Sequence, residues 1–126
     1  MKKLILFTIG FTACGQAPGG SITLNFPADL ITNGILHAAI YESGRCATLS
    51  DPVVLTEALV RSAHPANFDA QNEHPMTLSA IPAGNNRMVV AVVEQDGAQI
   101  CRACSDDVVI KDASTSNVRL ILEGCP

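Results

Sequence analysis

The chain of 126 residues has no tryptophan, one tyrosine and four phenylalanines. Sugar-binding sandwiches generally rest the sugar on aromatic rings, so this scarcity argues against a carbohydrate platform. Only 16% of the residues are charged, and eight basic residues stand against twelve acidic ones. A nucleic-acid binder normally carries a basic patch, so we expect no nucleic-acid partner. No apolar run approaches the ~20 residues that a membrane-spanning helix requires.

Sequence motifs for catalysis are also lacking. The chain has no G-x-S-x-G elbow, no phosphate-binding loop, no H-E-x-x-H and no EF-hand spacing. The neighbouring carboxylates Asp106 and Asp107 fall in strand-like sequence, where adjacent side chains point to opposite faces. His37 also falls on a predicted strand, beside Tyr41, where a packed or surface role is expected. We therefore expect a protein that is not an enzyme and that uses no cofactor.

The N-terminus has the three parts of an export signal. Lys2 and Lys3 are followed by an apolar run from Leu4 to Phe11, and then by two small residues before Cys14. Nothing in a globular fold requires two lysines directly before such a run. The pattern predicts a signal peptide over residues 1–13 that is removed from the mature protein.

The sequence Phe11-Thr12-Ala13-Cys14 resembles the lipobox of bacterial lipoproteins, although Phe11 occupies a position that is usually leucine. The resemblance implies acylation of Cys14, which would anchor the mature chain in a membrane through several acyl chains. In Gram-negative lipoproteins an aspartate after the cysteine favours the inner membrane, so Gly15 implies the outer membrane. The Gly- and Pro-rich residues up to 20 then form a flexible tether, which makes 14–20 the lipidated cysteine and its linker.

The rest of the chain, residues 21–126, reads as β-strands. Ser21 to Phe26 alternates polar and apolar residues, and Met88 to Val93 is continuously apolar, as in a central strand with both faces covered. Asp96-Gly97 is a typical hairpin turn. Further strands are predicted at 35–42, 76–80, 98–103, 108–110 and 117–123, with the last two forming a hairpin, and 63–75 is predicted as a loop. For 51–62 we favour a strand near 57–62 over a short helix beginning at Asp51-Pro52, because the segment is rich in β-branched residues.

This spacing predicts an all-β fold, an antiparallel β-sandwich of about seven strands, prealbumin-like or immunoglobulin-like. The layout of Met76 to Glu123, with the turn Pro82-Ala83-Gly84 before a long apolar strand, resembles the prealbumin-like sandwich of carboxypeptidase-regulatory-like domains. Such domains are usually accessory and non-catalytic. The resemblance implies a structural or protein-interaction module of the cell envelope, with the membrane and an envelope protein as partners.

The cysteines divide into one for lipid and four for disulfides. The chain has five, and if Cys14 is acylated the remaining set is Cys46, Cys101, Cys104 and Cys125. An even number in an exported protein predicts two disulfides. The Cys-x-x-Cys spacing of 101 and 104 also occurs in redox motifs, but there it opens a helix, whereas here it runs into strand sequence. A zinc site of four thiolates is the other alternative, and only one of its two usual knuckle spacings is present.

Strand geometry suggests the pairing. In an extended strand Cys101 and Cys104 would lie about 10 Å apart, beyond the ~7 Å limit of a disulfide. Cys104 would share the core face with Ile110 and lie level with Cys125. We therefore predict Cys104–Cys125 and, by elimination, Cys46–Cys101, although a bulge between 101 and 106 would exchange the partners.

An apolar stripe would then lie on the opposite face of the sheet, away from the core. Its members are Met88, Val90 and Val92. An exposed stripe of this kind needs a cover, and we predict that the segment 44–75 lies across it, clamped by Cys46.

The alternative function is a ligand- or metal-binding envelope lipoprotein. His64, Asp69, Glu73 and His74 fall together in the predicted loop at 63–75, and imidazole and carboxylate groups are common metal ligands. A solvated polar loop has the same composition, so these residues are weak candidates and we predict no metal site from them.

Overall fold

The computed structural model of the protein describes residues 19–26, 34–65 and 74–124. Seven strands occupy these ranges: β1 (Gly20–Phe26), β2 (Ile35–Tyr41), β3 (Val60–Pro65), β4 (His74–Ile81), β5 (Gly84–Gln95), β6 (Ala98–Ile110) and β7 (Thr115–Arg119). The helical segments among them are two short 3-10 turns, Cys46–Thr48 and Leu55–Glu57. No helix in the described part of the chain is long and apolar enough to cross a membrane.

The strands form two sheets packed face to face, which confirms the predicted all-β sandwich. One sheet has three strands in the order β4-β1-β7, and the other has four in the order β3-β2-β5-β6. Strand pairs are antiparallel except β1 with β7, which run parallel, with Ser21 opposite Thr115 and Asn25 opposite Arg119. The first and last strands of the domain are therefore neighbours in one sheet.

The core lies between the two sheets and follows the alternation of the strands. Ile22, Leu24 and Phe26 of β1 all point inward and are buried. In β5 both faces are covered, because Val89 faces the core between the sheets while Val90 faces outward and is equally buried. Each large side chain that is fully removed from water contributes about 1.5–3 kcal/mol. The continuous apolar run therefore marks a central strand, as predicted.

The structure differs in detail from the expected elements in three segments. Residues 98–110 form one strand, β6, instead of two, and β7 is not its hairpin partner because β7 joins the other sheet beside β1. The segment 51–62 contains a 3-10 turn followed by β3, so the strand was the better choice. The predicted loop at 63–75 begins and ends inside strands, and its centre, 66–73, lies outside the described residues.

Strand β6 carries two bulges, and these decide which way its side chains point. Val93 lies opposite Cys101 while Glu94 lies opposite Gln99, so β6 has one extra residue there. A second extra residue lies within Asp106-Asp107, where Asp107 has a φ of 56°. Each bulge places two residues opposite one on the partner strand and so reverses the alternation beyond it.

Arg87 is the buried charged residue of the described structure, with 8% of its surface exposed. Its guanidinium donates hydrogen bonds to three backbone carbonyls: Nε to Pro82 at 3.0 Å, Nη1 to Glu42 at 2.9 Å and Nη2 to Ala83 at 2.6 Å. The Arg87 side chain therefore supplies the hydrogen-bond donors for the carbonyls of the turn before β5 and of the residue that follows β2. The sequence analysis did not detect this role of Arg87.

Candidate functional site

The most distinctive surface feature is a strap, residues 43–59, which crosses the outer face of the four-stranded sheet. Under it lies a second apolar cluster, separate from the core between the sheets. The sheet contributes Ala39, Tyr41, Met88, Val90 and Val92, and the strap contributes Val53 with Cys46, Leu49, Leu55 and Ala58 packed against them. The predicted cover of the apolar stripe is confirmed, for the part of 44–75 that forms the strap.

A disulfide joins the strap to the sheet, between Cys46 and Cys104, with Cα atoms 5.8 Å apart. Beside it, the backbone N–H of Cys46 donates to Oδ2 of Asp106 at 2.8 Å. Arg45 pairs with Asp107 at 3.2 Å on the surface. Asp106 and Asp107, which the sequence offered as a carboxylate pair, both bind the first turn of the strap.

The predicted pairs Cys104–Cys125 and Cys46–Cys101 are both wrong, since Cys46 and Cys104 are bonded to each other. The bulge at Asp106-Asp107 is the reason, because it places Cys104 on the opposite face from Val108 and Ile110. Cys104 therefore faces the strap, while Cys101 faces the core between the sheets.

Cys101 is also disulfide-bonded, and Cys125 lies outside the described residues. The backbones of Arg102 and Glu123 form an antiparallel bridge, which brings the end of the described chain beside Cys101. With Cys101 and Cys104 on opposite faces and both oxidised, the Cys-x-x-Cys spacing does not form a vicinal redox pair.

Three side chains of the sheet also bind the strap through its backbone. The amide of Gln99 accepts from the N–H of Val53 at 2.8 Å and donates to its carbonyl at 2.9 Å, as a neighbouring strand would. Arg102 Nη1 donates to the carbonyl of Ser50 at 2.6 Å. Tyr41 Oη donates to the carbonyl of Val54 at 2.8 Å. The strap is thus held along its length and not only at the disulfide.

Tyr41 offers a direct probe of the strap, because it is the only tyrosine in the chain. Burial under the strap raises its pKa above the usual 10.0, and the nearby Glu57 carboxylate raises it further, against a smaller opposing effect of Arg61. A raised pKa in the folded state means that the contribution to stability is complete below pH 10 and is lost as the pH rises through the folded pKa.

We therefore expect the tyrosinate absorbance of the folded protein to appear at higher pH than that of free tyrosine. Stability should fall over the same alkaline range, and Tyr41→Phe should remove this part of the pH dependence. Spectrophotometric titrations of the folded, oxidised protein and of the unfolded protein measure the shift in the pKa of Tyr41. Identical midpoints in the two states would contradict the described burial.

Of the four predicted metal-ligand candidates, only His64 has its side chain within the described structure. His64 lies on β3, exposed, and its Nε2 is 2.8 Å from Oγ of Ser62. The backbone of His74 begins β4, while Asp69 and Glu73 lie outside the described residues. Across 19–26, 34–65 and 74–124 there is no group of three or more His, Cys, Asp or Glu residues placed to hold a metal ion.

His37 lies on the strap-side face of β2, where its Nε2 is 3.3 Å from Oε1 of Glu94. The pair is half-buried and lies across β2 and β5. It therefore links two neighbouring strands through their side chains.

No protein family, no curated protein and no solved structure matches the chain.

Proposed function

We propose that the protein is a lipid-anchored, non-catalytic module of the cell envelope, held by acylated Cys14 in the outer membrane of a Gram-negative bacterium. The carrying observation is the Cys46–Cys104 disulfide in a chain whose N-terminus has the pattern of a lipoprotein signal. Disulfides persist in oxidising compartments such as the periplasm, which agrees with export. The proposed sandwich type is the prealbumin-like one of accessory domains.

A structural or protein-interaction role is supported by how the polar residues are used. Asp106 and Asp107, which a hydrolytic site would need free, instead hold the strap through Cys46 and Arg45. Arg102 and Gln99 bind strap carbonyls. The polar groups near the strap thus fix a surface in one shape, and a preformed surface of this kind suits binding an envelope protein.

Replacing Cys14 tests the anchor. Cys14→Ser is expected to block acylation and release the protein from the membrane fraction, because the thiol that carries the lipid is lost. Fractionation and incorporation of a labelled fatty acid measure the effect. The matched control is Gln16→Ser, two residues further along, which should leave both unchanged. A Cys14→Ser protein that stays in the membrane with unaltered processing would show that the lipoprotein assignment is wrong.

A further inference from the structure

A groove of about 480 Å³ lies beside the strap, where the edge of β6 meets the last described residues of the chain. Leu49 and the Cys46–Cys104 disulfide form one side, and Arg119 and Ile121 form the other. Arg102 lies between them. Its volume falls in the range of small-molecule sites, about 300–1,000 Å³.

The outer wall of the groove results from alternation in residues 119–123. Leu120 and Leu122 are buried in the core between the sheets. Arg119, Ile121 and Glu123 therefore point the other way and line the groove. Ile121 is 60% exposed, the highest value for a large apolar residue in the described structure. A solvent-facing isoleucine beside an arginine gives this wall an apolar part and a cationic part.

The charges in the groove stand out against the rest of the protein. The chain is acidic overall, yet two arginines line this groove with a single acidic residue, Glu123. Within the described residues the side chain of Arg119 makes no hydrogen bond or ion pair, whereas Arg45 is paired with Asp107 and Arg87 donates to three carbonyls. Arg119 is thus a cation available to a ligand.

We propose that the groove binds an amphipathic anion, with a carboxylate or phosphate group between Arg102 and Arg119 and an apolar chain against Leu49 and Ile121. Planar guanidinium groups bind both of these anions through paired, charge-assisted hydrogen bonds. Charged and apolar side chains share the lining of the groove, which suits a ligand with one anionic and one apolar part. This binding activity goes beyond the anchoring role proposed above.

The groove and the start of β1 lie at opposite ends of the β1–β7 pair. β1 begins at Gly20, and its start lies beside Thr115 of β7. Arg119 lies opposite Asn25, four residues further along the same strand pair, or about 13 Å away at strand spacing. Arg119 therefore lies at the end of the β1–β7 pair that is remote from Gly20.

The test is a titration of the purified, oxidised full chain, labelled with nitrogen-15 and followed by NMR. Hexanoate and hexyl phosphate carry the two anionic headgroups, while hexanol and hexyltrimethylammonium carry the same chain without a negative charge. We expect saturable shifts at Leu49, Arg102 and Ile121 with the anions, and affinities at least about tenfold weaker for the other two probes. The better anion identifies the preferred headgroup.

Variants give the second arm of the test. Arg119→Gln should weaken binding of the better anion about tenfold, because the positive charge is lost. Arg119→Lys should weaken it less, because the charge remains and only the paired hydrogen bonds of the guanidinium are lost. Arg61→Gln, an exposed arginine on β3, is the matched control and should bind as the parent does. Equal affinities for all four probes, or an Arg119→Gln protein with parental binding and an unchanged unliganded spectrum, would overturn the proposal.

Discussion

Replacing Cys46 and Cys104 together by serine is expected to lower the free energy of unfolding by about 4 kcal/mol. The two cysteines are separated by 58 residues, and cross-linking a loop of this length restricts the unfolded chain by that amount. For a domain of this size the loss corresponds to a fall in Tm of roughly 20 °C. Denaturant titration of the serine variant and the oxidised parent measures it.

The strap itself gives a local readout for the same variant. Without the disulfide, its attachment depends on the hydrogen bonds from Tyr41, Gln99 and Arg102 and on the apolar cluster beneath. Opening of the strap exposes Tyr41, so its raised pKa should move back toward the free value. A control with Ala47→Ser, at an exposed position on the strap, should leave stability and titration nearly unchanged. A loss of less than about 1 kcal/mol in the free energy of unfolding of the double serine variant would contradict the stabilising role of the Cys46–Cys104 disulfide.

The second large effect is expected for Arg87→Met, at about 3 kcal/mol of lost stability. Methionine fills much of the same space but donates no hydrogen bond. The carbonyls of Glu42, Pro82 and Ala83 then lose their donor, at a cost of about 1 kcal/mol for each lost hydrogen bond. Denaturant unfolding of the variant measures the loss, and Arg61→Met, at an exposed arginine, should change stability by less than about 0.5 kcal/mol.

Gly84 supplies an independent test of the same contact. A Cβ added to Gly84 would come within 2.6 Å of the Arg87 guanidinium carbon. Gly84→Ala should therefore destabilise the parent protein by displacing the guanidinium, and should cost much less when Arg87 is already methionine. A double-mutant cycle measures this coupling. Additive effects would mean that Gly84 and Arg87 do not share the contact.

The all-β sandwich could be predicted because its signals are local. Alternation placed Ile22 and Leu24 of β1 inward, and the continuous run at 88–93 marked a central strand that needs cover on both faces. The need for a cover on that stripe then predicted the strap, with Cys46 as its clamp. Apart from the choice of Cys46, these inferences depend on side-chain periodicity and on the cost of exposing apolar surface.

The disulfide pairing and the sheet order failed for a different reason. One extra residue at Asp106-Asp107 reverses every side chain beyond it, and no local pattern in the sequence marks that bulge. The position of β7 beside β1 is likewise decided by packing over the whole chain. The roles of Arg87 and Gln99 could not be predicted either. Both side chains bind backbone atoms, and every residue type has the same backbone groups, so the sequence does not mark the partners.

The parallel pairing of β1 with β7 has a consequence for how the chain folds. One of the two neighbours of β1 is β7, Thr115–Arg119, which lies near the other end of the chain. The contacts between these two strands therefore have a large sequence separation. Folds dominated by such distant pairings form slowly, because a long loop must close before any contact is gained. The β5–β6 hairpin can form earlier, since these two strands are joined by a two-residue turn. The three-stranded sheet is then the last part to close, and a chain that passes a membrane from its N-terminus would complete this fold only once its C-terminal end had crossed.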